Sequence, residues 1–135
     1  MTSDNGDSAV EPVTSRLRVV AGALVAAEAL VLVGLAVYVV VETFAATAEE
    51  PGGALALAGL ALVTGAGLGG CAYGLVQGRG WTRAPVVTWQ LLQAGVAMPL
   101  LRRDAWPVGI PLLVAAVAVL ALVLTNRAPG PSPQA

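Results

Sequence analysis

The sequence predicts an all-α, polytopic membrane protein with four transmembrane helices in an up-down bundle. Three observations carry that expectation. The 135 residues are 57% hydrophobic and only 11% charged, with a mean hydropathy of +0.81. A soluble domain of this length needs a polar shell, which here only the two ends and three short loops could supply. The apolar residues gather into four runs, about 19–41, 54–76, 85–101 and 108–124. Each is near the length of about 20 residues that crosses a bilayer core of about 30 Å. Loops as short as those between them join antiparallel neighbours.

The domain reading follows from this layout. Residues 1–15 (MTSDNGDSAVEPVTS) are polar and mildly acidic and are expected to form a disordered tail. Residues 16–127 form the four-helix transmembrane domain. Residues 128–135 (APGPSPQA) are rich in Pro and offer nothing to bury.

The first run reads VVAGALVAAEALVLVGLAVYVVV, and Glu28 is its only charge. It is far longer than the apolar core of a cleaved signal. A retained first helix is therefore expected, although Ala46-Thr47-Ala48 before Glu49 has the small residues of a cleavage site. The second run opens after Glu49 and Glu50, which suit the positive end of a helix. It is dense in small residues. Ala61, Gly65 and Gly69 recur at four-residue spacing, as do Ala66, Gly70 and Gly74. In lipid, close backbone approach across such faces drives helix association. The two ridges read either as packing within a compact bundle or as a face for a second copy.

The third run is the shortest and carries Thr88, Gln90 and Gln93. The fourth begins behind Pro107 and Pro111, near the first turn, where a missing N–H costs least. Trp81 and Trp106 fall at predicted boundaries, where an amphipathic ring prefers the headgroup level.

Orientation rests on arginine. Arg16, Arg18, Arg79, Arg83 and Arg127 all fall on one side if both termini are cytoplasmic, and the acidic first loop falls on the other. Arg102 and Arg103 do not fit. They would become cytoplasmic if residues 85–101 dipped into the membrane and returned, at the cost of misplacing Arg127. Four full spans are expected, because the third run is apolar at both ends.

Glu28 is the residue that most needs a partner. A charge at the centre of a spanning helix costs about 2.5 to 3.5 kcal/mol on insertion scales, and such a group faces the bundle interior. Counted from the start of its run, Glu28 lies about 13–14 Å deep, and Gln93 lies about 12 Å deep in the third. The spacing therefore predicts a Glu28–Gln93 pair, a neutral acid against an amide, with Gln90 as support on a face shared with Trp89 and Ala97. Thr88 points away and can bond its own helix backbone. Two roles remain open for Glu28: polar glue between helices, or a proton carrier reached from water.

Other classes of function find little support. The net charge of −1 argues against nucleic acid. There is no Lys or His, and every Ser (Ser3, Ser8, Ser15, Ser132) lies in an end segment. No triad, zinc site or phosphate loop can be assembled, so no catalytic residue, metal or cofactor is expected. Cys71 is the only cysteine and, among Gly and Ala neighbours, reads as a packing residue. The all-Arg basic set and the Ala, Val, Leu and Gly bias fit a GC-rich bacterial genome. The bacterial plasma membrane is thus the expected location, and the lipid bilayer, a second copy or a larger membrane complex the expected partners.

The segment Arg83-Ala-Pro-Val-Val-Thr-Trp-Gln-Leu-Leu92, with a Glu inside the first helix, resembles small actinobacterial four-helix integral membrane proteins of unknown function. That resemblance covers most of 17–127 in layout and implies no activity. Gly22-Ala-Leu-Val-Ala-Ala-Glu28 is similar to the first helix of small multidrug resistance transporters, but the later helices lack that family's aromatic cavity residues. By analogy of site alone, it implies proton-coupled transport with Glu28 as carrier.

Overall fold

The computed structural model describes residues 7–45 and 50–126, with backbone alone for 7–12. Four helices follow one another: α1 (Asp7–Ala45), α2 (Pro51–Val76), α3 (Arg83–Arg102) and α4 (Trp106–Thr125), with a short 3-10 turn at Gly80–Thr82 before α3. All four are long and apolar enough to cross a membrane, and the described residues contain no strand. The chain is an all-α, four-helix, multi-pass membrane protein. The third run is a continuous helix with Pro99 inside it, so it does not turn back on itself.

Two boundaries differ from expectation. The helix α1 begins at Asp7, so residues 7–15, expected to be disordered, are helical in backbone. Asp7 and Glu11 fall in the opening turns of α1, where acidic residue types suit the positive end of a helix dipole. The remaining end segments, 1–6 and 127–135, lie outside the described residues, as does the possible cleavage site at 46–48. Each predicted span otherwise lies within its observed helix.

The helices pack as two antiparallel hairpins. α1 lies mainly on α2 and α3 mainly on α4, with thinner packing between the pairs. Along α1–α2 the register is fixed by two close approaches, one at the end of α2 and one near its middle. A Cβ placed on Gly22 would meet Val76 Cγ2 at 2.6 Å and Ala72 O at 3.1 Å; one on Gly65 would meet Val33 Cγ2 at 3.0 Å and Ala29 O at 3.2 Å. These are backbone approaches that only small residues allow. The second small-residue ridge behaves differently. Gly74 is buried against Thr82, but Ala66 and Gly70 are exposed, with nothing near Gly70. Of the first ridge, Gly65 is buried while Ala61 and Gly69 are only half-buried.

The core is a single cluster built from all four helices, including Ala21, Val25, Leu68, Cys71, Val86 and Val119. Cys71 is thus the packing residue its neighbours implied. The outer faces carry large apolar side chains such as Leu30, Val63, Leu91 and Val114, the expected finish for a surface in lipid.

The ends of the helices show how the short loops are made. α2 closes with Gly78 at φ 73°, where Arg79 N–H bonds Gly74 O at 2.9 Å and Gly78 N–H bonds Leu75 O at 3.0 Å. This left-handed stop satisfies carbonyls that the helix leaves open. α3 closes in a related way, but with Asp104 at φ 59° and Ala105 N–H bonding Leu100 O at 3.1 Å.

Candidate functional site

The candidate site is a polar patch where α3 faces α1. In α3 the buried residues are Val86, Gln90, Gln93 and Ala97, spaced four, three and four apart, so one helical face carries both glutamines inward. Gln90 is 1% exposed and Gln93 8%. Trp89 is half-buried beside them, while Thr88 turns away and donates to Ala84 O at 3.0 Å, bonding its own helix as expected.

Glu28 does face this patch, but its hydrogen-bond partner is not the expected one. Gln90 Nε2 donates to Glu28 Oε2 at 3.0 Å. The sequence-based pairing with Gln93 is therefore corrected by one turn: Gln93 is buried on the same face and does not make this bond. Depth counted from the start of each apolar run assumes that both helices enter the membrane level with one another. One turn of α-helix is about 5.4 Å, so a small axial offset between α1 and α3 exchanges one glutamine for the other.

The remaining polar atoms are unevenly matched. Glu28 Oε1, Gln90 Oε1 and Gln93 Oε1 are buried with no hydrogen-bond partner among the described residues, as is the indole Nε1 of Trp89. Of these four unpartnered atoms, three are oxygens that accept and one is an N–H that donates. A proton on Glu28 would change one of those acceptors into a donor. Among the described residues no group of three His, Cys, Asp or Glu side chains could hold a metal ion, so this carboxyl has no metal-ligand company.

The other candidate residues are dispersed. Trp81 and Trp106 are both largely exposed, Trp81 in the 3-10 turn before α3 and Trp106 at the first turn of α4. They stand at opposite ends of the bundle. The small-residue ridges lie on α2 and take no part in the Glu28–Gln90 bond. Two residues that sequence reasoning did not single out also fasten helix ends. Asn126 accepts from Arg83 Nη2 through its backbone oxygen at 2.7 Å and donates from Nδ2 to Thr14 O at 3.3 Å. Thr82, fully buried, donates to Arg79 O at 2.7 Å. Their signal in sequence is weak, since a Thr or Asn beside a helix end fits many caps.

No family model, curated protein or solved structure matches this chain.

Proposed function

We propose that this chain is a non-enzymatic protein of the bacterial plasma membrane, both termini cytoplasmic, that serves as a packing or accessory subunit. The observation that carries the reading is the Glu28–Gln90 hydrogen bond. It spans from α1 to α3, joining the two hairpins where packing between them is thin. The one carboxyl placed inside the apolar runs is thereby spent on the fold. Interhelical bonds of this kind contribute about 0.6 kcal/mol and at most about 2. Association with another chain is supported by Ala66 and Gly70 on α2, small residues that its own bundle leaves exposed.

A second reading has its own observation. The buried, unpartnered oxygens of Glu28, Gln90 and Gln93 suit a site that takes up a proton, as in a small proton-coupled transporter with Glu28 as carrier. Labelling of Glu28 by a hydrophobic carbodiimide in native membranes separates the two. The structural joint predicts a carboxyl inert across the accessible pH range. Labelling that titrates with bulk pH shows a group in contact with water and replaces the subunit reading with transport.

A further inference from the structure

Three of the arginines that orient the chain converge in space. Arg18 from α1, Arg79 from the turn after α2 and Arg83 at the start of α3 line one pocket, together with Asn126 at the end of α4. Its floor is apolar and includes Leu75 and Leu122. α1 therefore contributes an inner turn, and α2, α3 and α4 each contribute an end, to the same small region. Like charges gathered this way repel, and among the described residues no carboxylate pairs with any of the three. Arg83 is held by its bond to the backbone oxygen of Asn126 at 2.7 Å. Arg18 is held by shape: its guanidinium lies over Gly78, where a Cβ would meet Nη1 at 2.6 Å. Two of the three cations are thus positioned by the fold, and among the described residues none of the three has a neutralising partner.

We infer that this pocket binds the phosphate of an anionic phospholipid headgroup. Guanidinium forks match phosphate oxygens in pairs, and basic pockets between the ends of transmembrane helices suit lipid headgroups. The location selects a lipid over free phosphate. Trp81, largely exposed, lies in the turn between Arg79 and Arg83, where an aromatic ring marks the headgroup level. The space is partly open and ≈ 10 Å³, about the size of one water site, so it receives phosphate oxygens at its mouth and not a whole organic molecule. The lipid's glycerol and chains would remain outside, along the apolar flanks of the helices.

The test uses the full chain in a zwitterionic detergent, titrated with phosphatidylglycerol, phosphatidylcholine or inorganic phosphate, with retained lipid counted by native mass spectrometry. One phosphatidylglycerol is expected to be retained in preference to phosphatidylcholine, and millimolar phosphate is expected not to displace it. R18Q/R79Q, which leaves the Arg83–Asn126 bond in place, should weaken retention by about fivefold for each arginine removed. For the unmodified chain, retention should also fall as ionic strength rises, a readout that needs no variant to fold. Equal retention of the two lipids, salt-independent retention, or a folded R18Q/R79Q that holds phosphatidylglycerol as well as the parent overturns the site. Displacement by millimolar phosphate overturns the lipid assignment.

Discussion

Gln90 donates a side-chain amide N–H to Glu28 across 3.0 Å, and this part-buried bond ties α3 to α1. Gln93, on the same face one turn further along, makes no such bond. A double-mutant cycle should therefore separate the two glutamines. E28A with Q90A is expected to show a coupling of about 0.6 kcal/mol, and no more than about 2. E28A with Q93A should show coupling near zero. Unfolding in mixed micelles, followed by circular dichroism, measures both cycles, and equal couplings would remove the preference for Gln90.

Replacing the carboxyl with its amide is a gentler change. In Glu28→Gln the side-chain oxygen can still accept from Gln90, and the new NH₂ adds donors to a patch with unpartnered acceptor oxygens. Stability should change by less than about 1 kcal/mol, with a gain as admissible as a loss. Glu28→Leu instead leaves the Gln90 amide buried without an acceptor, and should cost about 1–3 kcal/mol. Thermal unfolding of the two variants in one detergent gives the comparison. A Leu variant as stable as the parent would mean that the bond contributes nothing to the fold.

Much of this fold was legible from hydropathy, because a run that must cross hydrocarbon is constrained along its whole length. The four spans, the buried face of α3 and the inward position of Glu28 follow from that constraint. What failed to show has a physical cause in each case. The helical start at Asp7 is hidden by Pro12 and by a segment with no apolar period, since it projects beyond the span. The choice of Gln90 over Gln93 depends on axial offset, which sequence spacing within single helices does not encode. Small-residue ridges announce close packing but not which members touch: Gly65 meets Ala29 and Val33, whereas Gly70 meets nothing.

That difference between two glycines on one helix can be measured. Gly65→Val would drive its side chain into the Ala29 carbonyl and Val33, and should destabilise the bundle by about 1–3 kcal/mol. Gly70→Val points into open space and should leave the fold of the single chain unchanged or slightly firmer. If α2 associates with another chain through Ala66 and Gly70, the same valine should lower that association, by about tenfold for an overpacking cost in this range. Chemical cross-linking in native membranes reads the association, and unfolding in detergent reads the fold. Cross-linking unaffected by Gly70→Val would take this face out of the proposed subunit contact.

The two left-handed helix stops predict opposite responses to substitution. Asp104 occupies its turn at φ 59°, a conformation that costs an L residue about 1–2 kcal/mol, with Asp at the cheaper end. Asp104→Gly relieves that strain while adding freedom to the unfolded chain, so it should be neutral to stabilising by up to about 1 kcal/mol. Gly78 already has the residue its φ of 73° requires, and Arg18 fills the space where a side chain would begin. Gly78→Ala therefore adds strain and forces the guanidinium aside, for an expected loss of about 1 kcal/mol or more. Parallel thermal melts of the two variants decide the matter. Should Gly78→Ala melt with the parent, neither the turn nor the seating of Arg18 depends on glycine at this position.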